Sequence, residues 1–567
     1  MRETLTRLGR GTAAPIAAVG LAYLLTLVCF ERDGMWTTDN AAKFLQVRAL
    51  LQSGLASFAI PWPGRSIDPE FVYNPLPFHF SAVRGGELYS VFSPVFAMVS
   101  AVPYALLGYW GLYLLPFASA LLMLRAVAEL CALAGGGAGA RRAAVLVAGL
   151  ATPVWFYGVA FWEHCVAACL CLWALLFFAR FVDSGASRDL VRGAVLVSLA
   201  VYLRDDLYLL CALLALSAAA ARRANRLATA LRCGGAMAVC LAPLWIWQWQ
   251  VMGSPLGQHL STHLFSSAGI PGHLLDRPKV FYNLLAAASP APIVSIFLSA
   301  PFLYAWLRRP RFDDAGFGAA LPLFAAAGTV SALISYGGYL LFDSTLAYLL
   351  ASSNSLFAAA PLVILAFPRC GEEGGTRRWL ARLAAAYALL YAAAAPDLGS
   401  SGLHWGNRFL LILYPVWSLL AAVNVEQWRR REGDGRRSWR YLSLAAVVAV
   451  SVGAQLFSVE LLRRKKEFSH RLNDFVAASP EQVVLTSERW AGHELHRVFF
   501  DKPVFYVEYP HAMDALRQKL RQAGYDSFLF LTRRQRVAAR QPGVEIGDGG
   551  LNWYGMKAFS VGMAPTR

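Results

Sequence analysis

The stretch Gly11-Thr-Ala-Ala-Pro-Ile-Ala-Ala-Val-Gly20-Leu-Ala-Tyr-Leu-Leu-Thr-Leu-Val-Cys-Phe30-Glu31-Arg32-Asp33-Gly34-Met35-Trp36-Thr37-Thr38-Asp39-Asn40-Ala41-Ala42-Lys43 decides the fold class. Residues 11–30 carry no charge, and about 20 apolar residues in an α-helix cross a hydrocarbon core of ~30 Å. Arg2, Arg7 and Arg10 stand before this run, and Glu31-Arg32-Asp33 follows it without a small-residue cleavage site. It therefore reads as a retained first span, with the amino terminus in the cytoplasm, because Lys and Arg collect at cytoplasmic ends.

The rest of the chain repeats the pattern. Of 567 residues, 57% are hydrophobic and 15% charged, whereas soluble proteins carry roughly 25% charged residues. The apolar residues come in long runs and not in the dyad alternation of a barrel strand, so a helical bundle is expected. The net charge of +17 does not point to nucleic acid. Its arginines sit in short loops between apolar runs, at 2–10, 141–142, 180–192, 222–232, 308–311, 369–382 and 429–440, as topology signals do. The loop from Gly337 to Asn354 holds no Lys or Arg and reads as an outer loop. Tyr89 to Gly108 is apolar but interrupted by Pro94 and Pro103. It is expected to be a juxtamembrane or re-entrant helix, since irregular backbone at membrane depth needs protein or water to cover it.

With that choice the count is about thirteen spans, with a long first outer loop and the carboxyl end outside. The last span lies near Tyr441 to Leu462, and Arg463-Arg464-Lys465-Lys466 then opens a polar stretch. Residues 1–462 are expected to form the membrane domain and 463–567 a small soluble α/β domain on the outer face. Within the latter, 482–487, 503–508 and 527–532 read as strands and 512–523 as a helix. The nine cysteines lie in or beside apolar runs and show no disulfide framework or C-x-x-C metal motif.

Four features, in this order, resemble the glycosyltransferase-C superfamily, in particular bacterial relatives of protein O-mannosyltransferases and of the lipid A aminoarabinose transferase. A single span leads to a long outer loop opening Trp36-Thr-Thr-Asp39-Asn-Ala-Ala-Lys43. Gly85-Gly-Glu-Leu-Tyr89-Ser-Val-Phe-Ser-Pro94 enters a juxtamembrane helix. Glu163 lies on the second outer loop, and Gly406-Asn-Arg408-Phe-Leu-Leu-Ile-Leu-Tyr-Pro415 opens a late span. The family's frequent acidic pair is here Asp39-Asn40, and its Pro-Pro is Ser93-Pro94. The resemblance implies transfer of a sugar from a polyprenyl-phosphate carrier, with inversion, to an envelope glycan, lipid or protein acceptor at the outer face of a bacterial inner membrane. A lipid or polysaccharide transporter, or a non-catalytic membrane scaffold, is the alternative; no internal repeat favours a transporter. No nucleotide-binding G-x-x-x-x-G-K-[ST] loop occurs.

Such chemistry needs a base for the acceptor's proton and cations for the phosphate, which already leaves well. Asp39, near the end of the first span, is the candidate base; its structural alternative is an N-cap for a helix starting at Asn40. Glu163, flanked by Trp162 and His164, is the second candidate catalytic residue, for acceptor positioning or a metal contact, against a solvated loop acid. Lys43, four residues after Asp39, either tunes it or helps bind phosphate, against a plain ion pair with it. Arg204, in Arg204-Asp205-Asp206, offers a planar fork of donors to phosphate, against a local ion pair. Arg408 is a donor-binding candidate, against snorkelling at a helix end. His164 with His259 or His263 is a candidate set for a divalent metal, against ordinary exposed loop histidines, and no cofactor is required. Asp68, Glu70, Arg65 and Arg84 share the first loop unranked, and Trp245, Trp247 and Trp249 read as an interfacial belt. Membrane lipids complete the expected partners.

Overall fold

The computed structural model describes residues 2–76, 80–221, 225–257, 260, 270–286, 292–312, 314–333, 355–369, 374–395, 404–431, 438–508, 510–533, 544–546 and 555–563. The protein is mostly helical. Helix α1 (Arg2–Val28) leads through a short loop to α2 (Thr38–Gln52). Strands β1 (Ser81–Arg84) and β2 (Glu87–Ser90) follow as an antiparallel hairpin. Gly85 and Gly86 form its two-residue turn with φ of 57° and 75°, the conformation that tight hairpins demand and side chains resist. The hairpin was not foreseen. It delivers the chain into α3 (Val95–Leu107), thirteen residues long and so too short for a full span, in the place expected of a juxtamembrane helix.

Helices α4 (Tyr109–Leu133), α5 (Ala138–Leu150), α6 (Val154–Gly158), α7 (Glu163–Ser184), α8 (Ser187–Leu203), α9 (Tyr208–Ala221) and α10 (Arg226–Met252) build the first part of the bundle. The Tyr23 hydroxyl donates to the Gly149 carbonyl at 2.7 Å, tying α1 to α5. Among the described residues five helices are long and apolar enough to cross a membrane: Gly11–Val28 within α1, then α4, α7, α10 and Trp439–Ala478. Their exposed leucines and valines, such as Leu21, Leu24, Leu122 and Val239, are the lipid-facing surface such a bundle needs.

The late helix Ser438–Ala478 is 41 residues long, about 60 Å at ~1.5 Å per residue. It therefore continues well past the bilayer, and the basic run from Arg463 lies inside it. Two of those cations are buried. Lys465 Nζ pairs with Glu494 at 2.7 Å and donates to the Met35 carbonyl at 3.1 Å; Lys466 donates to the Tyr113 hydroxyl. A charge run that suggests solvation in the sequence is here a buried polar seam.

Beyond this helix lies a five-stranded sheet, in the order β4–β3–β5–β7–β6. Strands β3 (Val484–Thr486), β4 (Val504–Tyr506) and β5 (Ser527–Thr532) pair in parallel, while β6 (Val544–Ile546) and β7 (Lys557–Gly562) run antiparallel. Helix Pro510–Gln522 connects β4 to β5. The three strands and the helix read from the sequence are present; β6 and β7 were not anticipated. The core of this sheet is shared with the first loop: Leu45, Ile60, Trp62, Tyr73 and Leu88 pack among Val483, Leu485, Phe499 and Phe505. Trp62 Nε1 donates to the Val504 carbonyl at 3.0 Å, and Tyr506 N to the Tyr73 carbonyl at 3.0 Å.

The loop between α1 and α2 is clamped by the long helix. Met35 N donates to Ser469 Oγ at 3.0 Å, and a Cβ on Gly34 would stand 2.0 Å from the Lys466 carbonyl oxygen. Both partners there are backbone, so neither yields by rotamer change. Gly34→Ala is expected to lower stability by roughly 1–3 kcal/mol, the usual cost of overpacking, read as a fall in the thermal midpoint of the detergent-solubilised protein. An unchanged midpoint contradicts the close approach.

Candidate functional site

Helix α2 opens with Thr37 as its N-cap. Asn40 Oδ1 accepts from Thr37 N at 3.1 Å and Thr37 Oγ1 at 3.0 Å, and its amide donates to the Phe161 carbonyl. The sequence reading of Asp39 as the N-cap is therefore corrected. The helix begins at Thr38, and Thr37 and Asn40 do the capping, which leaves the Asp39 carboxylate in the first turn. Ionised carboxylates are favoured there by the unpaired N–H groups of the helix start. The Asp39 side chain is about one-sixth exposed, at 16%, and it lines a cavity.

Five of the expected residues meet at that cavity: Asp39, Lys43, Glu163, Arg204 and Arg408, together with His164, Asp205, Asp206, Gln248, Tyr391 and Phe409. They come from four separate places in the chain. Asp39 and Lys43 share one face of α2, one helical turn apart. Glu163 and His164 open α7 after the extended Trp162. Arg204 to Asp206 form the break between α8 and α9, where a short 3₁₀ turn, Asp205–Leu207, replaces continuous helix. Arg408 opens the 3₁₀ turn Arg408–Leu410, before the helix Leu413–Arg431. Gly406, at φ 60°, bends the chain into that turn, and Asn407 Oδ1 caps it by accepting from Phe409 N and Leu410 N.

The charges are paired across these elements. Arg408 Nη1 donates to Asp39 Oδ2 at 2.9 Å. Lys43 Nζ lies 3.2 Å from Glu163 Oε2, both side chains almost fully buried. Arg204 stands 2.8 Å from Asp206 and 3.6 Å from Glu163, with its guanidinium also against the His164 imidazole. Three simple expectations are thus corrected. Lys43 pairs with Glu163 from another helix, not with its own i−4 neighbour. Glu163 is no solvated loop acid, because Trp162 before it is fully buried and Glu163 itself is 5% exposed. Nor does Arg408 snorkel outward: it faces Asp39. The local pair foreseen for Arg204 is present and extends to a second carboxylate.

Aromatic faces frame the cations. Lys43 Nζ sits 3.9 Å from the centre of the Phe92 ring, and the Arg408 guanidinium lies 5.0 Å from Trp162 and 4.9 Å from Phe409. Such contacts strengthen when desolvated. Phe92, Tyr391 and Gln248 were not foreseen; in the sequence they are ordinary apolar-run residues, and only the packing brings them here.

Of the three histidines weighed for metal, His259 and His263 lie outside the described residues. His164 sits beside the Arg204 cation, an unfavourable neighbour for a metal ion. Among the described residues Glu31, Asp33 and His470 are close enough together to share an ion, but none of them lines this cavity. The Arg497 guanidinium already approaches Asp33 at 2.6 Å. Burial raises the Asp33 carboxyl, and the His470 hydrogen bond and Arg497 more than offset this, holding it below the usual range. Of the unranked first-loop residues, three make structural contacts and Glu70 is exposed. Asp68 accepts from Tyr73 N at 2.7 Å and meets Lys519 at 3.3 Å; Arg65 pairs with Glu87; Arg84 reaches the Met252 carbonyl. Trp245 donates to the Tyr208 hydroxyl, and Trp249 is exposed.

His493, from the short helix Ala491–Glu494, was missed. It is fully buried, packs edge-on against the Phe80 ring at 4.9 Å, and neither ring nitrogen has a partner among the described residues. Burial pushes its pKa down to about 3, and the nearby Asp39 carboxylate offsets only part of this.

No protein-family description matches the chain, and no curated protein does. Solved structures do. The ArnT of Cupriavidus metallidurans bound to undecaprenyl phosphate aligns with 13% identity over 96% of this chain and 97% of its own, at a TM-score of 0.52. The same protein in the apo state aligns with 14% identity over 97% and 98%, at 0.53. The chain shares the fold of this ArnT over nearly its whole length.

Two expectations follow. Lys43→Met leaves Glu163 only its longer, 3.6 Å contact with Arg204 and is expected to cost up to about 3 kcal/mol of stability, at the low end for breaking a buried pair. Adding Glu163→Leu recovers most of that loss in thermal melts; if it does not, the pair is not coupled. His493, charged in the unfolded chain below ~6.5 and neutral in the fold, leaves stability intact above that pH. It then costs up to ~1.4 kcal/mol per unit as pH falls from there toward the lowered folded value. His493→Leu is expected to flatten this acid-side loss, measured as melting midpoints between about pH 7.5 and pH 5.

Proposed function

We propose, proceeding from this ArnT-like fold, that the protein is an inverting glycosyltransferase. It moves a sugar from a polyprenyl-phosphate carrier to an envelope glycan, lipid or protein acceptor at the outer face of a bacterial inner membrane. The observation that carries this reading is the cavity itself. A carboxylate at a helix start stands with Lys43, Arg204 and Arg408 around one opening, in a bundle with membrane-length helices. The fold is shared over its whole length with a protein that binds undecaprenyl phosphate.

The reaction asks for what these residues supply. The acceptor's oxygen attacks the anomeric carbon as the bond from that carbon to the phosphate oxygen breaks. The acceptor proton passes to Asp39, and the bonding electrons leave with the polyprenyl phosphate. Attack from the face opposite the leaving group inverts the anomeric centre. The departing phosphate gains a negative charge, which the cations stabilise as it develops. Glu163 fixes Lys43 and Arg204 through their ion pairs and so acts as a positioning residue. The apolar carrier tail reaches the cavity from the lipid phase. The division into a membrane part, 1–462, and an outer α/β part, 463–567, belongs to this proposal.

In purified protein supplied with radiolabelled polyprenyl-phosphate sugars, Asp39→Asn is expected to lower turnover about 10²–10⁴-fold, the usual contribution of a positioned base, with the fold intact. Undiminished transfer removes Asp39 from the mechanism, and sugar-independent lipid movement by the wild type favours a transporter. A cysteine placed at exposed Glu70 should react with a membrane-impermeant maleimide in intact spheroplasts. Protection there, with labelling only after lysis, reverses the assigned orientation.

A further inference from the structure

Among the described residues, each Lys and Arg bordering the cavity already faces a carboxylate. A donor phosphate, a diester with one negative charge, must therefore draw on a cation that is in use. Lys43 is held between Glu163 and the Phe92 face. Arg204 is held by Asp206, Glu163 and His164 together. Withdrawing Lys43 weakens the hold on Glu163, and withdrawing Arg204 weakens it on Glu163 and Asp206; neither acid is the one proposed to take the proton. Arg408 differs in the identity of its partner, because Asp39 is the group proposed to take the acceptor's proton.

While Arg408 Nη1 donates to Asp39 Oδ2 at 2.9 Å, that oxygen's electron pair is engaged and a weak proton acceptor. Its release is tolerable, since Asp39 sits in the first turn of α2, where helix-start N–H groups favour a negative charge without any counter-ion. The guanidinium rests against Trp162 and Phe409. Those faces support its plane while its fork of N–H donors turns from one anion to another.

Resting on the proposed glycosyl transfer, we infer that Arg408 is exchanged between Asp39 and the donor phosphate, so that donor binding uncovers the base. Binding is then ordered: an acceptor arriving first meets a carboxylate held by Arg408, and one arriving second meets a carboxylate that Arg408 has released. After transfer the leaving polyprenyl phosphate carries more negative charge and holds Arg408 more firmly. Its departure caps Asp39 again. The device keeps the base from activating water or acceptor in the absence of donor.

The exchange makes a prediction that simple ion pairing does not. Asp39 competes with phosphate for Arg408, so removing the carboxylate should tighten phosphate binding although it abolishes the chemistry. The probe is undecaprenyl phosphate in detergent micelles, titrated against full-length protein and followed by tryptophan fluorescence. Asp39→Asn is expected to bind about tenfold more tightly than wild type, a typical coupling between linked sites, and Arg408→Gln more weakly. In the Arg408→Gln background, Asp39→Asn should give no gain, which separates exchange from a general loss of negative charge. Asp39→Ser serves the same purpose should the Asn variant not fold. Wild type that binds no undecaprenyl phosphate overturns the glycosyltransferase reading itself. Wild type that binds, with neither Asp39 variant tighter, overturns the exchange and leaves that reading standing. An equal gain with and without Arg408 also overturns it.

Discussion

Charge in a poorly solvated cavity must be matched, and this constraint organises the protein. Asp39, Glu163 and Asp206 face Lys43, Arg204 and Arg408 across the ends of α2, α7, the α8–α9 break and the turn before Leu413–Arg431. Apolar packing alone leaves such helices free to slide, because lipid tails are as apolar as the leucines between them. An ion pair between helix ends does not tolerate sliding. Displacing one end strands a buried charge, which is far more costly than rearranging a methyl contact. The cluster is therefore both the proposed site and a latch that sets the register of the elements around it.

A second polar seam serves the same purpose at one remove. Lys465, Ser469 and His496 hold the backbone of Asp33 to Met35, the segment that ends where α2 begins. The sheet beyond the long helix shares its core with the first loop. The position of Asp39 thus depends on residues more than 400 places further along the chain. Long-range contacts of this kind act through backbone placement, since none of these side chains lines the cavity itself.

The sequence announced most of the individual parts. Uncharged runs give helices because only a helix satisfies every backbone group in hydrocarbon. The short α3 followed from its two prolines, and β3 to β5 with their helix from alternation of strand and helix signals. Glu163 and Arg204 stood out because ionisable residues beside apolar runs are costly and rarely idle, Asp39 and Arg408 through the family resemblance and their positions, and Lys43 through its i+4 spacing from Asp39. Less visible were contributions with no local signature. Phe92 and Tyr391 look like any apolar-run aromatics, His493 like any polar residue of a soluble stretch, and β6 and β7 are short. The Gly85-Gly86 turn lay within a motif read for another reason.

Partner choice is where sequence and structure divide. Composition and periodicity determined that the chain is a bundle of apolar helices, and which charged groups stand at their ends. They do so because burial of apolar surface and satisfaction of backbone hydrogen bonds are local in sequence. Only the tertiary structure decided that Lys43 belongs to Glu163 and not to Asp39, that Arg408 belongs to Asp39, and that Lys465 and Lys466 are interior. Electrostatic pairing depends on distances of a few ångströms between segments hundreds of residues apart, and such distances exist only once the helices have packed.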